Sequence, residues 1–418
     1  MALDKLETRT HEEREITLLQ KLSAQVQYAK QNTDYFGRIL SHIDPSKINT
    51  RAALAELPVT RKSELSIEQK NLPPFGGMNG TPLHQLKRIF QSPGPIHEPQ
   101  GAELDSFRLA RALRAAGFKA GDLVHNTFSY HFTPGAWMLE GGAHALGCCV
   151  FPAGVGQTEL QAQTIAHLKP TAYTGTPSFL KIILEKADEL GLDSSSITKA
   201  VVSGEALTPS MRAWFKARGI LVTSTYATAD VGLIAYESPD LASGMIIDEE
   251  IILEIVEPNG TKPLPIGETG EVVITVFDKD YPLIRFGTGD LSAIDPDSLT
   301  TPSPCGRSNL RIKGWLGRAD QTTKIKGMFV HPGQVQEIIK KHPEISKARV
   351  VVSGNIGNEE MTVYCELKDA TTCDLTALNA AIIQSTREVT KLRAVVSFEN
   401  SDALPMDGKL IEDARTYA

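Results

Sequence analysis

The sequence predicts an α/β chain: a large N-terminal α/β domain with mostly parallel sheets carries a β-rich subdomain, and a small α+β domain follows at the C-terminus. Three observations predict it. Helix-period segments and short strands alternate between residues 101 and 224, the pattern then changes to stretches of alternating apolar residues, and a second mixed pattern occupies the end of the chain. Alternation of strands with helices of crossover length implies parallel pairing with both sheet faces covered, whereas alternating apolar stretches around a tight turn imply antiparallel pairing. At 418 residues the chain also exceeds what one hydrophobic core usually serves. We place the large domain at 1–318, its β-rich part at about 245–316, and the small domain at 319–418.

Along the chain, Ile16, Leu19, Leu22 and Val26 recur at helical spacing and predict a surface helix over 11–30. Leu104, Phe107, Ala110 and Leu113 predict a helix ending near Gly117, followed by the strand LVHN, a helix from Trp137 to Leu146 and the strand CCVF. Thr158 with Gln161 reads as a capping box ahead of a helix to Leu168. Thr176-Pro177 and Thr208-Pro209 each set a capping threonine before a proline in the first helical position. Strands TAYT (171–174), AVVS (200–203) and ILVTS (220–224) alternate with these helices, so ligands are expected beyond the strands' C-terminal ends. Further on, IILEIVEP and EVVITVF flank the turn Asn259-Gly260. The C-terminal unit reads as a helix at 333–341, strands ARVVVSG and MTVYCEL, a helix at 375–389, strand AVVSF, and a terminal loop and helix, with the joint at 317–320.

Composition excludes several classes. With 41% hydrophobic and 22% charged residues the chain is an ordinary globular one, not disordered or fibrous. A net charge of -7 with scattered Lys and Arg leaves no electrostatic footprint for nucleic acid or an anionic membrane. The N-terminus is charged from Asp4 and offers no apolar run of a secretory signal, and no segment reaches the roughly 18 apolar residues of a membrane helix. Five cysteines without framework spacing suit a reducing compartment, so a cytoplasmic location is expected; Cys148 and Cys149 read as packing residues and Cys305 as a non-metal residue.

Four runs carry the chemistry, in order: GVGQTELQAQTIAHLKPTAYTGTPS at 154–178, YPLIRFGTGD at 281–290, GRADQTTKIKG at 317–327 and LPMDGK at 404–409. Through them the chain resembles the phenylacetate-CoA ligase family, a branch of the AMP-forming acyl-CoA synthetases, from about residue 50 to its end. The resemblance implies that a carboxylate attacks the α-phosphate of ATP, pyrophosphate leaves, and coenzyme A then opens the acyl-adenylate, with magnesium as cofactor. Positioning and charge stabilisation dominate such chemistry. The expected substrate is a small, preferably aromatic, carboxylic acid, and a homodimer is within what the resemblance allows.

The same resemblance assigns roles. Asp290 is given the ribose hydroxyls, with Arg318 as a second ribose or phosphate contact. Lys409 is given the α-phosphate and substrate carboxylate, where its ammonium offsets developing charge. Asp320 is the hinge of a mobile small domain, and Gly327 lies on the pantetheine approach. Adenine falls to Ser203, Gly204, Glu205 and Ala206, and to the ring face of Tyr226. The acid falls to Tyr130, His131, Phe132 and Gly135. For the nucleotide's phosphates, QSPGPIHEPQ (91–100) supplies Ser92 and Gly94.

Two departures stand out. QSPGPIHEPQ has three prolines, which donate no amide hydrogen, where the family has a Ser/Thr/Gly-rich loop. The family's Tyr-Gly-x-Ser/Thr-Glu run is here Tyr226-Ala227-Thr228-Ala229-Asp230: the hydroxyl at 229 is missing, Thr228 is the candidate replacement, and Asp230 replaces the magnesium-linked glutamate. Ser238 and Met245 stand where some relatives carry zinc ligands, so no structural zinc is expected. Two alternatives stay open at this point: an acyl acceptor other than coenzyme A, and a nucleotide-binding protein without turnover.

Overall fold

The computed structural model describes residues 4–92, 95–241, 243–301, 303–321, 323–325, 328–355, 358–368, 374–405 and 407–415. These form two compact units. The first comprises Met1–Val256, Thr261–Thr288 and Ala293–Gly314, the second Glu257–Gly260, Gly289–Ser292 and Trp315–Ala418.

The first unit is organised by an eight-stranded sheet. Five of its strands are parallel, in the order Cys149–Pro152, Leu123–Asn126, Ala172–Gly175, Lys199–Val202, Leu221–Thr228. Gly232–Tyr236 then continues antiparallel to Leu221–Thr228, and Met245–Ile247 and Arg311–Ile312 complete the edge. Helices Thr158–Leu168, Pro177–Glu189 and Pro209–Ala217 connect the parallel strands, and their apolar faces enter a core with Tyr173, Leu180, Ile183 and Val202. Thr176 and Thr208 cap as expected, accepting from Phe179 N at 3.3 Å and Met211 N at 3.2 Å. Strands Ile251–Val256 and Gly270–Val276 pair antiparallel. Their connection is longer than an Asn259-Gly260 hairpin: Gly260 N donates to Glu257 O at 2.7 Å, but the return strand begins only at Gly270.

Other differences have local causes. The helix expected from Leu104 begins at Leu109, because the Asp105 carboxylate accepts from Leu109 N (2.8 Å) and Ala110 N (2.9 Å) and Arg108 takes a left-handed φ of 64° just before the first turn. Thr158 and Gln161 form no capping box. Gln161 turns inward, donating to Gly154 O and Gly156 O at 2.9 and 2.7 Å and meeting His125 Nε2 at 2.9 Å, so its buried amide ties the loop before the helix to the strand that carries His125.

The second unit holds a four-stranded sheet, Val395–Glu399, Asn358–Leu367, Ile345–Asn355 and Ile411–Asp413 in spatial order. Helices Pro332–Lys341 and Leu375–Thr390 pack on it through Val335, Ile338, Leu378 and Ile382. The expected terminal helix is a strand: Ile411 is buried, and residues 411–413 pair in parallel with Val350, Val351 and Val352.

The N-terminal segment is fastened to the first unit by buried charge. Glu7 Oε1 accepts from Arg307 Nε at 2.6 Å and from the Tyr236 hydroxyl at 3.0 Å, with both charged side chains 1% exposed. Removing one partner of such a pair leaves an uncompensated buried charge. Glu7→Ala is therefore expected to lower the unfolding free energy by about 3–5 kcal/mol, read from the denaturant midpoint; a change near zero would show that the pair contributes no stability.

Candidate active site

The five parallel strands end on one edge, and the segments leaving those ends carry most of the candidates. The ends are tied together: Thr127 N donates to Thr174 O (2.8 Å), Ser203 N to Gly175 O (3.2 Å), and Ser203 Oγ to Thr225 O (2.9 Å). Gly204 has φ of 83°, and a Cβ there would meet only Phe128 Cε1 and Thr176 Cγ2, each at 3.8 Å, so the backbone is open to a flat ligand. Glu205 accepts from Ser178 N at 2.6 Å, using its carboxylate on a free amide in the first turn of helix Pro177–Glu189, and Ala206 is exposed. Tyr226 is buried in the core, its hydroxyl 3.3 Å from Thr288 Oγ1.

Beyond Asn126, the Tyr130 hydroxyl donates to Glu140 Oε2 (2.7 Å) and accepts from Asn126 Nδ2 (2.9 Å). Burial and the Glu140 carboxylate push that phenol far up, so Tyr130 stays a neutral donor. Its ring meets Trp137 edge-on at 5.0 Å, and the Arg88 guanidinium lies 3.8 Å over Trp137. His131 and Phe132 are exposed; Phe132 has φ of 60°, and its carbonyl accepts from Gln91 N at 2.9 Å. Gly135 opens helix Gly135–Ala145, with the Phe128 ring 3.5 Å from where its Cβ would be.

The segment expected to meet the phosphates is a β-hairpin, Arg88–Ser92 paired with Ile96–Gln100; Gly94 lies outside the described residues. Gln69 clamps it, accepting from His97 N and donating to His97 O, both at 2.8 Å. Ser92 Oγ donates to Glu98 Oε1. Asp230, in the turn between Leu221–Thr228 and Gly232–Tyr236, holds Lys62 Nζ at 2.6 Å through Oδ2. Thr228 Oγ1 accepts from Val231 N at 3.3 Å and so shapes this turn. Glu98 Oε2 and Asp230 Oδ1 are buried with no hydrogen-bond partner among the described residues. Burial, then the Asp230 charge, lift the Glu98 carboxyl to about 7 against the pull of Ser92 and Lys62.

In the second unit, Arg318 NH1 and Trp315 Nε1 both donate to Asp290 Oδ1, at 3.0 and 3.1 Å. Residues 290 and 318 pair across antiparallel strands, and Gly289, with φ of 74°, leaves room for the guanidinium, since a Cβ there would sit 2.7 Å from Arg318 NH2. Lys409 is exposed in a loop anchored on both sides: Leu404 N donates to Glu366 Oε1 (2.6 Å), Leu410 N donates to Gln321 Oε1 (3.3 Å), and Arg349 engages Asp407, whose Oδ1 accepts from Lys409 N at 3.0 Å. The backbone of Asp320 lies in the short turn Ala319–Gln321; its side chain, and all of Gly327, lie outside the described residues.

A family model described as AMP-binding enzyme matches residues 107–276. Phenylacetate-coenzyme A ligase of Aromatoleum evansii is 30% identical over 382 residues, 87% of this chain and 84% of that protein. The chain belongs to the phenylacetate-coenzyme A ligase family. The Escherichia coli K12 phenylacetate-coenzyme A ligase is likewise 30% identical, over 88% of this chain and 86% of its own. A solved structure of 2-hydroxyisobutyryl-CoA ligase in an open conformation, in complex with 2-HIB-AMP and CoA, matches in fold with TM-score 0.87 at 23% identity, over 98% of this chain and 93% of that one.

Within this ligase-family chain, the structure brings Asp290 and Arg318 together, and it gathers Ser203–Ala206, Tyr130, Gly135, Thr228 and Asp230 beyond one sheet edge. Sequence reasoning missed Lys62, Gln69, Glu98, Asn126, Glu140 and Trp315. Nothing in the run IHEPQ marks Glu98, because its burial comes from the fold and not from an apolar pattern around it.

Because the Glu98 carboxyl is raised from 4.5 to about 7, its ionisation opposes folding: the cost is absent below about pH 4.5, grows through the interval and is complete above about 7. Glu98→Gln in chelator-treated buffer is expected to be more stable than the parent at pH 8, by on the order of 3 kcal/mol, and to lose that advantage toward pH 4.5. Thermal melts across this range check it, and a pH-independent difference would contradict it.

Proposed function

We propose that this chain activates a small carboxylic acid with ATP and transfers the acyl group to coenzyme A, releasing pyrophosphate and then AMP. The alignment with phenylacetate-coenzyme A ligases over most of both chains carries the reading, and the Asp290–Arg318 pair supports it. The acid's carboxylate oxygen bonds to the α-phosphorus as the bond to pyrophosphate breaks. In the second step the coenzyme A sulfur bonds to the acyl carbon as the bond to AMP breaks, and the thiol proton goes to solvent.

In this scheme Asp290 accepts from the ribose hydroxyls, with Arg318 and Trp315 fixing its carboxylate. The open backbone at Gly204 suits a planar base. Lys409 supplies a mobile positive charge from a loop whose flanks are anchored, which limits the search for the reacting phosphate. Asp230 fits magnesium by its unpartnered buried oxygen; the cation, when bound, neutralises phosphate charge. An aromatic acid is favoured by Tyr130, Trp137 and Phe128 beside the small Gly135 and Gly204. No helix among the described residues is long and apolar enough to cross a membrane.

The testing experiment is acid-dependent exchange of labelled pyrophosphate into ATP, with magnesium and without coenzyme A, over aryl, arylacetic and short aliphatic acids. Exchange is expected with arylacetic or aryl acids, and silence with every acid from folded protein would overturn the reading. Lys409→Ala is expected to reduce the exchange rate by roughly 100-fold or more while nucleotide binding and the melting temperature hold, since the side chain is exposed. Undiminished exchange in that variant would remove Lys409 from the mechanism.

A further inference from the structure

We propose that Glu98 joins Asp230 in a two-carboxylate seat for the divalent cation, so that the outer phosphates of ATP are held through the cation instead of by the hairpin's own donors. This rests on the ATP-dependent reading above and extends it to a residue of this chain that the phosphate segment's family pattern does not supply.

Glu98 is 0% exposed and the Asp230 side chain is 0% exposed, yet each carboxylate has only one oxygen engaged, by Ser92 and by Lys62 respectively. Glu98 Oε2 and Asp230 Oδ1 are left without a partner among the described residues. A buried carboxylate oxygen without a partner is costly, and two in one neighbourhood call for a ligand. They are neighbours: helix Lys62–Asn71 carries both Lys62, which holds Asp230, and Gln69, which clamps His97 next to Glu98, and the Asp230 charge acts on Glu98. With Ser92 Oγ they offer hard oxygen donors, and no cluster of three or more acidic, histidine or cysteine ligands gathers among the described residues. Two carboxylates with the remaining positions left to waters and phosphate oxygens suit magnesium.

The described residues of the hairpin also lack free donors. Prolines at 93, 95 and 99 have no amide hydrogen. Gln91 N is committed to Phe132 O at 2.9 Å and His97 N to Gln69 Oε1 at 2.8 Å. Ser92 Oγ spends its hydrogen on Glu98. Its described residues therefore present negative charge and few donors toward a tetraanionic ligand, which they would repel without a cation between them. Lys62, 2.6 Å from Asp230, balances one of the two carboxylates when the cation is away. The Gln69 clamp holds the backbone beside Glu98 in place, so the second carboxylate is positioned before any ligand arrives.

The test uses the full chain, freed of metal, titrated with Mn2+ alone and followed by the paramagnetic resonance signal of free Mn2+. One saturable site is expected. Glu98→Gln and Asp230→Asn are each expected to weaken it by roughly tenfold or more, the loss of one anionic oxygen ligand, and Lys62→Met to tighten it. Calorimetry then separates the parts: AMP affinity in chelator should be the same in the parent and Glu98→Gln, while ATP affinity in magnesium falls in the variant by about the factor seen for Mn2+. A melt in chelator confirms that Glu98→Gln is folded. Absence of a saturable Mn2+ site in the parent, or a site weakened by Asp230→Asn but untouched by Glu98→Gln, would overturn the proposal. A parent that binds Mn2+ as expected but neither AMP nor ATP would keep the seat and remove the ATP-dependent reading.

Discussion

The parallel alignment of five strands is the constraint on which the first unit's chemistry depends. Parallel strands need crossover helices, so every strand leaves the sheet at the same edge and every following loop begins there. Hydrogen bonds from Thr127 to Thr174, from Ser203 to Gly175 and from Ser203 to Thr225 then tie neighbouring strand ends, so these loops start from a fixed frame. Tyr130, Gly204 and the pair Thr228 and Asp230 come from three separate segments, yet they share that frame because the strands before them do. The second unit solves the same problem with fewer parts: an antiparallel pairing sets Asp290 against Arg318, and Trp315 adds a second donor to the same oxygen.

Much of this was legible in the sequence because it rests on local rules. The Thr-Pro pairs specify helix starts through one hydroxyl and one missing amide hydrogen, and both form as read. The order of strands and helices from 123 to 228 follows from period and length. Two of the misreadings share a cause, which is a local rule overruled by a partner outside the segment. Gln161 had the spacing of a capping residue, but the carbonyls of Gly154 and Gly156 and the buried His125 ring engage its amide instead. The terminal segment lacked an independent strand signal, and its pairing with Val350–Val352 decided its conformation.

The site divides in the same way. Asp290, Arg318 and Lys409 sit in compact runs whose residue types announce charge chemistry, and each directly follows a glycine, Gly289, Gly317 and Gly408. Lys62 and Glu98 could not be read so. Lys62 is 168 positions from the aspartate it binds, and the hairpin that buries Glu98 is set by its register with Ser92 and by Gln69. The prolines of that hairpin were visible as missing donors, but the carboxylate beside them was not visible as a buried charge. Burial is what gives it meaning: in water Glu98 would be an ordinary solvated acid, whereas here its ionisation is held back by burial and by Asp230.

The claim at the centre of this account is that a carboxylate oxygen of the substrate becomes bonded to the α-phosphorus of ATP. The most direct measurement is the fate of that oxygen. A carboxylic acid that supports turnover, labelled with 18O in its carboxylate, is incubated with the protein, ATP, magnesium and coenzyme A, and the products are read by mass spectrometry. The account predicts one 18O in AMP and none in pyrophosphate. Label appearing in orthophosphate alongside ADP, or AMP formed without label, would contradict it.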